Sequence, residues 1–148
     1  MTARRLVAAA RPRVWDVIAD GWTYSQWVVG NSRMRAVDED WPAPDAVIKH
    51  SIGVWPLLIN DQTIVQHCIP QEKLVLLAKL GPFGAACITL QLAEATEGCW
   101  IEMTEVPVDG PMSLIPNRLA LAAVGRRNRE CLWRLAALAE RLQSHDVE

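Results

Sequence analysis

From Gly30 to about residue 107, apolar and polar side chains alternate with a period of two, interrupted at short intervals by Pro, Gly and Asp. This is the pattern of strands joined by tight turns, and it predicts strands over residues 32–38, 46–55, 58–69, 73–80, 85–94 and 99–107. The breaks are Asp40-Trp41-Pro42-Ala43-Pro44-Asp45, Trp55-Pro56, Pro70-Gln71, Gly81-Pro82-Phe83-Gly84 and Thr96-Glu97-Gly98. Links this short cannot hold a crossover, so the strands form one antiparallel meander. Leu74, Leu76, Ala78 and Leu80 alternate with Lys73 and Lys79, as Ile88, Leu90 and Leu92 do with Thr89 and Gln91. One face of the sheet is therefore solvated and the other must be covered.

The flanks supply the cover. Residues 2–10 predict an opening strand that stops at Arg11-Pro12. Val14, Trp15, Val17 and Ile18 recur at helical spacing over 12–20, with Gly21 as a C-cap, and a second short helix carries Trp22, Tyr24, Trp27 and Val28 up to Gly30-Asn31. In residues 117–143, Leu121, Val124, Cys131, Leu135, Leu138 and Leu142 fall on one helical stripe; Pro116 suits the start, and Gly125 is a tolerable weak point. The expected architecture is α+β: a seven-stranded curved antiparallel sheet around a long C-terminal helix, with two short helices after the first strand.

The chain has 148 residues, 51% hydrophobic and 22% charged, with a formal net charge of -2. That length fits a single domain over 1–148, and the charge gives no long-range attraction to nucleic acid. No apolar run is long enough for a membrane span or a signal segment, which predicts a cytoplasmic protein. Cys68, Cys87, Cys99 and Cys131 form no metal-ligand spacing, and reduced, mostly buried thiols are expected. Gly-rich phosphate loops and nucleophile elbows are missing, so neither a metal nor another cofactor is predicted. Asp38-Glu39-Asp40 reads as a hairpin end.

The run Arg13-Val14-Trp15-Asp16-Val17-Ile18-Ala19-Asp20-Gly21-Trp22, continued by Tyr24 and by Trp27-Val28-Val29-Gly30, resembles the START-related SRPBCC superfamily in its polyketide cyclase/dehydratase-like branch. Gly53-Val54-Trp55-Pro56-Leu57-Leu58-Ile59 and Arg127-Asn128-Arg129-Glu130, followed by Leu132, resemble it too. The resemblance implies a helix-grip fold with a hydrophobic cavity between sheet and C-terminal helix. It further implies binding of a hydrophobic small molecule, such as a lipid, isoprenoid or polyketide-like compound, or alternatively a polyketide cyclase or dehydratase.

Strand parity then selects the inner surface. If Ile48 and Ile52 point inward so does His50, and Ile59 with Val65 takes Asp61 and Thr63 along. Ile101 and Met103 bring Glu105 to the same side, unless a bulge near Pro107 turns it out. A helical wheel puts Asn128 in the middle of the stripe. The expected lining is His50, Ile52, Asp61, Thr63, Leu76, Leu90, Met103, Glu105, Asn128, Leu132 and Leu135. His50, Asp61 and Glu105 are the candidate acid and base groups, and the competing reading is a polar floor satisfied by internal hydrogen bonds or water. His67 and His145 are weaker candidates. Trp15 and Trp27 are expected in the core, with Trp22, Trp41 and Trp55 either gating an entrance or capping the core. Arg127 and Arg134 could receive an anionic head group. Trp133 lies opposite the stripe, beside Arg126 and Arg129, where it suggests a partner surface or a homodimer.

Overall fold

A computed structural model describes residues 1–79, 81–111 and 118–145. The elements run β1 (Thr2–Val7), α1 (Arg11–Ala19), a 3-10 turn (Gly21–Thr23), α2 (Tyr24–Trp27), β2 (Asn31–Val37), β3 (Val47–Val54) and β4 (Leu57–Ile69). They continue with β5 (Lys73–Lys79), a second 3-10 turn (Gly81–Phe83), β6 (Ala85–Ala95), β7 (Gly98–Asp109) and α3 (Arg118–His145). Strand order is β1-β7-β6-β5-β4-β3-β2, with every neighbouring pair antiparallel. This is the helix-grip arrangement. Leu80, Pro116 and Asn117, used in the sequence reading, lie outside the described residues.

The buried face follows the period-two pattern. Leu74, Leu76 and Ala78 on β5 meet Ile88, Leu90 and Leu92 on β6, and Ile101 and Met103 on β7 continue the layer. Leu132, Leu135, Ala136 and Ala139 of α3 close over it, and Val14, Val17, Ile18 and Trp27 seal one side. The buried stripe of α3 is narrower than the sequence suggests, since Leu121 and Leu142 in its first and last turns are 42% and 44% exposed.

Two local expectations need correction, and a third is decided between its two alternatives. β1 ends at Val7 rather than residue 10 because Ala8 and Ala10 turn their N–H groups to the side chains of Glu140 and Gln143 on α3. Gly21 does not cap α1; Asp20 does, in an extended conformation, and its carboxylate accepts the Trp22 N–H. Gly21 is needed for room: a Cβ there would lie 2.6 Å from Val37 Cγ1 and 3.1 Å from the Trp41 ring. Trp41 is accordingly no gate. It is buried, and its Nε1 donates to the Ile18 carbonyl at 3.2 Å.

Candidate functional site

At the end of the sheet where β3 turns into β4, side chains and the first turns of α3 do not meet, leaving a cavity of about 370 Å³. Val28, Ile52, Ile59, Ala78, Ile88, Phe83 and Val124 form its apolar walls. Polar groups enter from Tyr24, Asn31, His50, Lys79, Glu105 and Arg127.

His50 sits on β3 opposite Asp61 of β4. Its Nε2 is 3.0 Å from Thr63 Oγ1, which in turn lies 3.3 Å from the Tyr24 hydroxyl. Tyr24, Thr63 and His50 thus form one buried hydrogen-bonded chain, with the tyrosine ring tilted against the imidazole at 5.5 Å. Burial pushes His50 down to about 4, helped by the Arg35 guanidinium; the imidazole is therefore neutral at pH 7. Arg35 is the extra residue of a β2 bulge between Met34 and Ala36, and it donates to the carbonyls of His50 and Asp61. Burial also pushes Tyr24 up to about 12, so its proton stays in the chain.

Glu105 faces inward. A bulge does occur near Pro107, but it follows Glu105, between the pairs Ala85↔Asp109 and Ala86↔Pro107. The Glu105 carboxylate accepts from Arg127 Nη1 at 3.0 Å, while Arg127 Nε donates to the Val29 carbonyl at 3.0 Å. Arg127 thereby joins α3, β7 and the loop after α2, and its charge is already matched. Arg134 pairs with Glu130 on its own helix, so neither arginine stands free for an anionic head group.

The remaining expected residues lie elsewhere. Leu76, Leu90, Met103, Leu132 and Leu135 are at most 1% exposed and pack solid interior beyond the cavity. Thr63 is behind the wall and reaches the cavity through His50. Asp61 borders a separate cleft with Arg35, Lys49 and Lys79; one carboxylate oxygen accepts the Gln62 N–H, the other is buried without a partner, and burial raises its pKa. Asn128 is fully buried with neither amide atom hydrogen-bonded. His67 is exposed, beside a β4 bulge, and the His145 side chain lies outside the description. Tyr24 was missing from the expected lining; as the only tyrosine in the chain, placed among apolar neighbours, it needed a hydroxyl partner.

All four cysteines are free, Cys99 and Cys131 buried and Cys68 and Cys87 half-buried. Among the described residues there is no cluster of three potential metal ligands and no helix long and apolar enough to cross a membrane.

No family model and no curated protein sequence matches the chain. Solved structures do. A protein of Rhodobacter sphaeroides aligns at TM-score 0.72 with 21% identity, covering 95% of this chain and 91% of that one. The di-domain ARO/CYC StfQ from the steffimycin biosynthetic pathway aligns at 0.75 with 11% identity, over 97% of this chain and 51% of StfQ. DynU16, a putative protein in the dynemicin biosynthetic locus, aligns at 0.68 with 15% identity, over 95% of this chain and 46% of its own. The chain thus spans about half the length of StfQ and of DynU16. These likenesses establish the helix-grip fold, the fold that the sequence resemblance implies.

Proposed function

We propose that the protein binds an uncharged, largely apolar small molecule in the cavity between β3, β4, β6 and the first turns of α3. The observation that carries this reading is an apolar chamber at the lower end of the volume range of ligand sites, with a few polar groups at its wall. The size suits a compact, ring-containing guest better than a two-chained lipid. The polar groups suit a neutral one, because Glu105 and Arg127 cancel each other, His50 carries no charge at pH 7, and Lys79 at the wall is solvent-exposed and close to the Asp61 carboxyl. Contact with the apolar walls supplies affinity at roughly 25 cal/mol per Å² of surface buried. The likeness to StfQ and DynU16 supports small-molecule binding as a class.

A cyclase or dehydratase is the second reading, favoured by the buried Tyr24–Thr63–His50 chain. Its candidate groups are ill matched to acid–base work. A base pushed to about 4 takes a proton poorly at neutral pH, Glu105 is held by Arg127, and Asp61 faces another cleft. Binding without chemistry accounts for more of the arrangement. Uptake of Nile red, an uncharged hydrophobe, is the test. The wild type should bind it, and Val124→Trp, which fills the chamber from α3, should weaken binding about tenfold or more while the fold persists. Equal binding by both proteins overturns the reading.

A further inference from the structure

The end of the molecule that holds the chamber also gathers the exposed apolar side chains. Val54, Trp55 and Leu57 at the β3–β4 turn are 82%, 81% and 82% exposed. Leu58 beside them, Phe83 in the second 3-10 turn, and Val106 and Val108 at the end of β7 are exposed as well. The antiparallel topology puts all of these toward the same end of the strands, with the β3–β4 turn projecting beyond Val106 and Val108, and Phe83, Gly53 and Ile59 also line the chamber. Ser51 through Asn60 contains no ionisable residue. A protein-binding surface has a polar rim around its apolar centre; this projecting hairpin carries no charged residue over ten positions and no polar side chain between Ser51 and Asn60, and Trp55 is the side chain favoured at a membrane–water boundary. Cations stand behind the tip. Arg35, Lys49 and Lys79 share a cleft in which the acidic groups are Asp61, which is buried, and Asp109. Lys49 precedes Val54 by five residues, about 16 Å along the strand, so the apolar tip and the cationic collar are set at different depths.

We infer that the β3–β4 hairpin docks on an anionic lipid surface, with Trp55 and Leu57 entering the apolar layer and the collar meeting the head groups. The chamber then opens beside that surface, and an apolar guest passes between bilayer and cavity without crossing water. Docking rests on the exposed end alone; the passage of a guest rests on the binding function proposed above.

Vesicle flotation of the full chain tests it, with phosphatidylcholine vesicles containing phosphatidylglycerol as the probe. The wild type and Trp133→Ala, a change on a different face, are expected to float. The double substitution Trp55→Ser with Leu57→Ser is expected to lose about tenfold or more of the bound fraction, with an unchanged melting curve because both side chains are exposed. A wild type that remains unbound, or a double variant that floats as well as the wild type, overturns the inference. So does self-association in light scattering that the double variant abolishes, which would assign the tip to a second copy. Nile red uptake without vesicles reads the chamber alone, so failure of the chamber and failure of the docking surface are distinguishable.

Discussion

His50 is the residue whose environment has the clearest consequence in solution. Its folded value of about 4 lies below its ordinary 6.5, so the unfolded chain takes up a proton first as pH falls. Stability from burying the neutral ring is complete above pH 6.5 and declines as pH drops toward 4, by about 3 kcal/mol in total. Asp61, raised by burial, acts in the opposite sense over its own range. His50→Gln is therefore expected to flatten the fall in melting temperature between pH 7 and 4; an unchanged slope would show that His50 does not cause it. Arg127 makes a second case. Removing it leaves the Glu105 carboxylate buried and unpaired, and Arg127→Ala should cost about 3 kcal/mol in urea melts, with part of the loss recovered when Glu105→Gln is added.

Among the elements, those with strict alternation were the most legible. β5 and β6 follow the sequence pattern within a residue or so, because a one-residue slip would turn every leucine to solvent. The chamber's lining was less legible. Leu76 and Ile88 are direct cross-strand partners facing the same way, yet only Ile88 borders open space. What separates them is how far the side chains of α3 reach, and a period of two carries no information about that distance. The same cause divides α3, whose Val124 borders the cavity while Leu132 and Leu135 fill the interior. Gly21 was visible as a helix end but not as a close approach, since Val37 and Trp41 reach it from later in the chain. Gly21→Ala should cost about 1 to 3 kcal/mol through overpacking, to be read by chemical denaturation, and an unchanged midpoint would show that the 3-10 turn yields.

For the whole molecule, the Trp133 face bears on assembly. The indole is 53% exposed within a cleft bordered by Arg5, Arg126, Arg129 and Arg134, with Glu130 as the acidic member. A two-fold contact there would bring these like charges toward their own copies. A monomer is the expected outcome in light scattering, and a dimer abolished by Trp133→Ala would reverse it. The sheet order has a different consequence. β1 is the first of the seven strands in order, yet its neighbour is β7, with Thr2 opposite Thr104. During synthesis this strand must wait unpaired until its distant partner, about a hundred residues later, has left the ribosome. Nascent chains released before that point would hold a half-finished wall with an unclaimed margin, which makes them natural clients for chaperones.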